Sequence, residues 1–223
     1  MPNPPILPFD SDVLVQFFLA RELRPLNILQ KSYGIQPVIV TEVDLELRWL
    51  GKYKARFAPD LDKALKNQLL RVLDQPLFQS LLSSAPPGAS WAAFQSLGSQ
   101  HYRHVQHGEA YTHAAGVTLG LPVVSNDYDA IQTLEAQSFA LPSPVLRGFD
   151  ILAFCHDTGA MTLRECDDVR QELRRHNEGI PKPFMNASFG DGLKSFSCRL
   201  RDGAPTLHAG ASSYRTLLTV QKV

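Results

Sequence analysis

The sequence predicts an α/β fold built on a small parallel sheet, and three observations predict it. Short apolar runs that fit buried strands each lead straight into a helical pattern. A helix made largely of small residues, from Gly108, is followed after Gly120 and Pro122 by the run Val123-Val124. Acidic residues recur where the strands end. Residues 1–51 read strand–helix–strand–helix in this way.

Ile6, Leu7 and Phe9 form the first strand, although Pro8 removes a ladder donor. Asp10-Ser11-Asp12 closes it, with Ser11 or Asp12 placed to cap a helix carrying Val13, Leu14, Phe17, Phe18 and Leu23. Val38-Ile39-Val40 is a second, β-branched strand, with Thr41 as N-cap of a helix that buries Val43, Leu47 and Leu50. Residues 60–84 read as one amphipathic helical stretch (Leu61, Leu65, Leu69, Leu70, Leu73, Leu77), and Ala85 to Ser90 as a breaker-rich loop. Gly108 starts the next helix and the dipole favours Glu109 in its first turn; Gly120 stops it and Pro122 prevents its continuation. Val123-Val124 is a short buried strand ending at Ser125-Asn126-Asp127. Residues 145–154 are a strand or a buried helix. Thr162 with Glu165 forms a capping box for a helix over 161–176. The last thirty residues read as loop with a hairpin, Ser195 to Leu200 against Leu217 to Val220.

With 223 residues, 44% of them hydrophobic, the chain can bury one substantial core or a domain with an appended subdomain. No apolar run approaches a membrane span, and the N-terminus does not read as a secretion signal. Cys155, Cys166 and Cys198 are odd in number and lack CxxC spacing, which suits a reduced, cytoplasmic protein. A net charge of zero counts against a protein that coats nucleic acid, but not against an enzyme that engages a few phosphates.

The chemistry concentrates in acids. A helix running down and a strand running back up return Glu109 and Asp127 to one level, outside the carboxyl ends of the strands, where open α/β sheets bind ligands. Asp10 arrives at the same edge from the first strand. Glu42 and Glu46 share one helix face, and spacing alone leaves open which points over the edge. Carboxylates held together repel unless a cation stands between them, so the pattern predicts a divalent-metal site. His101, His104, His107 and His113 drift around a helix and read as a wet face or as phosphate contacts rather than zinc ligands. His156-Asp157 reads as a surface pair. Neither a GxSxG elbow nor a P-loop is present.

DSDVL at Asp10 to Leu14, VIVTEVDLEL, GEAYTHAAG at Gly108 to Gly116 and LPVVSNDYDA together resemble the successive motifs of PIN-domain nucleases, over roughly residues 5–150. The resemblance implies a three-layer α/β/α sandwich over 1–150, with 60–100 as a helical insertion and 151–223 as a C-terminal extension. It also implies a Mg²⁺- or Mn²⁺-dependent endoribonuclease acting on RNA, of the kind found as toxins of VapC-type pairs, with an antitoxin protein as partner; the assembly is compatible with a homodimer. Carried over by position, Asp10, Glu109 and Asp127 are metal-binding and catalytic acids, Asp129 is an accessory acid, and Asp12 fills a position often held by asparagine or aspartate. Glu46 best matches the helical glutamate, with Glu42 in contention. Arg170, Arg174 and Arg175 are candidates for a basic rim. Two rivals stand beside this reading. FDSDVL also resembles the DxDxV/T motif of haloacid-dehalogenase-type phosphatases, with Asp10 as nucleophile, and an inert PIN-like interaction protein would keep the acids as caps.

Overall fold

The computed structural model describes residues 5–49, 56–136 and 145–196. Three parallel strands pair in the order β1 (Ile6–Pro8), β2 (Gln36–Val40), β3 (Arg71–Leu73), and β4 (Val123–Val124) pairs in parallel with β5 (Val145–Leu146). A parallel bridge between Phe9 and Val124 joins the two sets, giving the lateral order 3-2-1-4-5. Strand order therefore reverses between β1 and β4, and a crevice forms outside the carboxyl ends of strands at such a reversal.

Helices outweigh strands. After β1 come α1 (Ser11–Leu19) and α2 (Arg24–Tyr33), and after β2 comes α3 (Thr41–Trp49). The strands are buried along their length except β3, whose Arg71 is exposed, as continuous apolar runs in a parallel sheet should be. The span 60–84, expected as one helical stretch, instead divides into α4 (Ala58–Lys66), β3 and α5 (Gln75–Leu81). Gln68 in the left-handed region, φ 57°, ends α4. Pro76 opens α5 under an Asp74 cap, and the chain between them pairs with β2. The region 60–100 thus contributes a strand of the main sheet and is not helical throughout.

Then follow α6 (Trp91–His101) and α7 (His107–Leu119), packed against each other, with α7 also on β1, β2, β4 and α3. Small residues allow this: Ala110, Ala114 and Ala115 are fully buried. Gly120, at φ 68°, terminates α7 as expected. Residues 145–154 hold both alternatives in turn, β5 and then α9 (Gly148–Asp157), after α8 (Tyr128–Ala136). The predicted capping box of Thr162 and Glu165 opens α10 (Leu163–Arg175).

The hydrophobic core is continuous from Ile6 to Phe196, so the segment after residue 150 shares it. α10 packs on α1, and α9 on α2. Two short helices not foreseen, α11 (Lys182–Met185) and α12 (Phe189–Ser195), insert Phe184 and Phe189 beside Phe149 at ring separations of 4.7 and 6.2 Å. The expected C-terminal hairpin and Cys198 lie outside the described residues, apart from Ser195 and Phe196. Cys155 and Cys166 are buried thiols, and burial raises both well above the ordinary thiol range.

Candidate functional site

The reversal point between β1 and β4 gathers the acids. Asp10, which leaves β1, caps α1 by accepting the Ser11 amide at 2.8 Å, and its own amide donates to Val124 O at 2.8 Å. Across the seam the fully buried Ser125 donates its hydroxyl to Asp10 Oδ2 at 3.4 Å. Asp12, in the first turn of α1, accepts the Asn126 amide on Oδ2 at 2.9 Å. Asp127 caps α8 by accepting the Ala130 amide at 3.0 Å.

The helical acids come from the other side. α3 packs on the start of α7, and the Gly108 amide donates to Glu46 Oε1 at 2.7 Å. A Cβ on residue 108 would stand 2.7 Å from Glu46 Cδ, so the glycine before Glu109 is what admits Glu46. Glu109 itself is 4% exposed, and its Oε1 is buried without a hydrogen-bond partner. Burial, followed by Asp10, Asp127, Asp12 and Glu46, pushes its carboxyl up to about 10. Asp10 is likewise held well above the usual carboxylate range by burial, then by Asp12, with Glu46 and Asp127 adding; the Ser11 amide opposes them. These couplings define one cluster of Asp10, Asp12, Glu46, Glu109 and Asp127.

Between the two glutamates left open on α3, the geometry distinguishes clearly. Glu46 accepts the Gly108 amide and acts on both Asp10 and Glu109, whereas Glu42 is raised by burial, which a backbone hydrogen bond and then His107 oppose. Glu42 sits at the edge of the cluster. Asp129 is exposed and lines, with Asp12, Gln16, Asn126, Asp127 and Glu178, an open cavity of about 390 Å³ beside the acids.

A buried carboxylate oxygen with no donor, on a side chain whose proton affinity four further carboxylates raise, fits a hard divalent cation: its donors would all be oxygens, which Mg²⁺ and Mn²⁺ prefer. Among the described residues no group of three His, Cys, Asp or Glu side chains is drawn in to ligand spacing; bare carboxylates oppose that approach by repulsion.

Several expectations need correction. Arg170 and Arg175 do not rim the acids. Arg170 is 7% exposed, paired to Asp167 at 2.8 Å and donating to Phe184 O at 3.2 Å. Arg175 lines a larger open cavity of about 1590 Å³ formed with α1, α2 and α4, where Arg24 pairs with Glu22 and Glu165; none of the five clustered acids lines it. Beyond the end of α10 it is Glu178 and Gly179 that line the smaller cavity, and Gln16 holds that turn by donating to Gly179 O at 2.7 Å. The histidines divide: His101 and His113 are fully buried and form no wet face, whereas His104 is exposed and His107 half-buried. His101 bonds Ala110 O through Nδ1 at 3.3 Å, and both ring nitrogens of His113 are without hydrogen-bond partners. His156 contacts Met161 O at 3.2 Å, and Asp157 is exposed.

Ser125, Asn126 and Gly108 were not anticipated as parts of the site. Their signal was adjacency: each is next to a residue already singled out or within the same SND turn. Asn126 Oδ1 accepts the Gly148 amide at 3.0 Å, which ties the β4 turn to the start of α9.

The fold and site define a mixed α/β protein, mostly helical, with a small parallel sheet and an acidic cluster at its reversal point. Comparison with protein-family models, curated proteins and solved structures finds no match for this chain. Among the described residues no helix is long and apolar enough to cross a membrane.

Proposed function

We propose that this chain is a Mg²⁺- or Mn²⁺-dependent phosphodiester hydrolase of the PIN type, with a three-layer α/β/α arrangement, that cleaves RNA. The observation that carries the reading is Glu109. It is a carboxylate buried in a cluster of like charge with an oxygen left unpartnered, an arrangement that costs stability unless a cation compensates it. Asp10, Glu46, Glu109 and Asp127 would hold the ion, with Asp12 and Asp129 facing it from the cavity side. Bound there, the ion would supply charge neutralisation at a scissile phosphate and acidify water. The chain does the rest by placement. Gly108 and Ser125 orient Glu46 and Asp10 through the bonds described above, and burial keeps bulk water from Glu109.

The test is direct. Purified protein should cut single-stranded or looped RNA with Mg²⁺ or Mn²⁺ and stop with chelator. Asp10→Asn and Glu109→Gln should lose activity while remaining folded by circular dichroism. Phosphate transfer from a small ester to Asp10 with RNA left intact would replace this reading with the phosphatase. Binding of RNA or of an antitoxin-like protein with no cleavage under any divalent ion would leave an inert relative. A role as the toxin of a toxin–antitoxin pair is part of the same proposal and predicts that expression arrests growth only when the acids are intact.

A further inference from the structure

The last described residue, Phe196, is buried and clasped on two sides. Its ring meets that of Phe184 at 4.8 Å, and the Arg147 guanidinium stands 4.3 Å from its centre. That anchors the chain beside the acids. Arg147 precedes Gly148, whose amide donates to Asn126 Oδ1 at 3.0 Å, and the Asn126 amide donates to Asp12 Oδ2 at 2.9 Å. Asp12, Asp127, Asp129 and Glu178 line the open cavity of about 390 Å³ there, with neither lysine nor arginine among the described residues of its wall. The same cluster holds Glu109, 4% exposed, with its Oε1 unpartnered. Arg147 and Arg170 are already engaged, with Asp150 at 2.9 Å and Asp167 at 2.8 Å.

The segment that follows Phe196 carries the missing charge. Residues 197–223 hold Arg199, Arg201, Arg215 and Lys222 against the single acid Asp202, whereas the whole chain is neutral, so the rest of it is acidic by the same excess. We propose that this segment turns back over the acid cluster and lays Arg199 and Arg201 in the cavity, where they stand as counter-charge in cis until a divalent cation displaces them. Reach permits it. An extended chain advances about 3.3–3.6 Å per residue, so three and five residues past Phe196 span about 10 and 17 Å. In an extended segment residues two apart face one side, which would aim both arginines together and turn Leu200 away. The planar guanidinium donates two parallel bonds to one carboxylate, a geometry that a wall of four carboxylates can accept. Tethering also holds the arginines at a high effective concentration, which a separate basic partner lacks. The proposal rests on the cluster being the cation site of the reading above and adds its regulation: the segment raises the concentration of divalent ion that the site needs.

Cys198, next to Arg199, gives the test its handle, because Cys155 and Cys166 are fully buried. A nitroxide spin label is attached to the folded full-length chain, with Cys198→Ser as the control that takes none. Its mobility is read by electron paramagnetic resonance in chelator and in Mg²⁺. Mn²⁺ binding to the unlabelled chain is read by calorimetry, and RNA cleavage is followed in parallel. The label should be immobile in chelator and mobile in Mg²⁺, and mobile throughout in a chain carrying Arg199→Gln and Arg201→Gln. That double variant should bind Mn²⁺ about tenfold more tightly, the factor that one charge-assisted bond supplies. It should also need about tenfold less Mg²⁺ for half-maximal cleavage, with kcat in saturating Mg²⁺ unchanged. Unchanged Mn²⁺ affinity in the double variant overturns the docked segment, and cleavage by both proteins then leaves the hydrolase standing. A label released by the substitutions, with neither Mn²⁺ binding nor cleavage, keeps the segment on the acids and removes the hydrolase. Arg215→Gln with Lys222→Gln is the control for charge alone, and an equal effect overturns the assignment to Arg199 and Arg201. An immobile label that follows protein concentration, with dimers in sedimentation, puts the segment on a second copy and overturns docking in cis.

Discussion

Replacing Glu109 with glutamine should stabilise the protein in chelator, and the structure sets both size and pH dependence. An ordinary glutamate loses its proton near 4.5, but in the folded chain this one holds it to about 10. At pH 7 the unfolded chain has released a proton that the folded chain keeps. Keeping it costs about 1.4 kcal/mol for each pH unit above 4.5, or about 3 kcal/mol at pH 7. Glutamine has the same shape and no proton to keep, so Glu109→Gln should gain about 2–3 kcal/mol at pH 7, under about 1 at pH 5 and about 5 at pH 8.5. The sign follows from the raised value: stability is full below 4.5 and drains as pH rises toward 10. For a chain of this length the gain at pH 7 is roughly 5–10 °C in melting temperature. Urea unfolding in chelator across pH 5 to 8.5 measures it. Excess Mn²⁺ should reverse the order, because the ion stabilises only the chain that can bind it. A gain that stays flat with pH, or equal stabilisation of both proteins by Mn²⁺, would refute the reasoning.

On the acid side, burial first and then His101 lower the buried His113 from 6.5 to about 3; its contribution is full above 6.5 and falls by about 3 kcal/mol by pH 4.5, so His113→Leu should flatten the acid limb of stability in the same urea series. Gly108→Ala should push Glu46 aside and break its charge-assisted bond, costing about 1.5–3 kcal/mol and most of the divalent-ion stabilisation; an unchanged thermal shift with Mn²⁺ would show that Glu46 plays no part in binding. Asp12→Ala should cost more stability than Asp129→Ala, since Asp12 accepts the Asn126 amide while Asp129 is exposed, and equal melting temperatures would count against the seam described above.

Where local pattern and tertiary position agree, the sequence was readable. β1, β2 and β4 are apolar runs closed by acids, and α10 carries its capping box; each announces itself within a few residues. The co-location of Asp10, Glu109 and Asp127 followed from chain direction alone. β3 was hidden because Leu61, Leu65, Leu69 and Leu73 keep a spacing of four through the break. Only the left-handed Gln68 and the pairing with β2 reveal the strand. The exposed Arg71 also hides the alternation of a half-buried strand. Glu46 over Glu42 depended on where α7 begins, a contact 62 residues away in the chain. Arg170 looked like surface charge because its neighbours Arg174 and Arg175 are surface charge; its pair with Asp167 lies one turn back on α10, but its bond to Phe184 O requires α11, which local pattern did not show.

The seam between β1 and β4 has a consequence for how such a site can change. One bridge and one amide bond from Asp10 join the two sets of strands there. The Ser125 hydroxyl on Asp10 and the Asn126 amide on Asp12 add to them. The same carboxylates that would meet a cation therefore also fasten the halves of the sheet. Asp10 and Asp12 serve two masters, whereas Glu109 serves one. Substitutions can silence this centre through Glu109 with a gain in robustness, but they cannot erase Asp10 or Asp12 without loosening the scaffold. A lineage that abandoned the chemistry would be expected to lose Glu109 first and retain the aspartates longest.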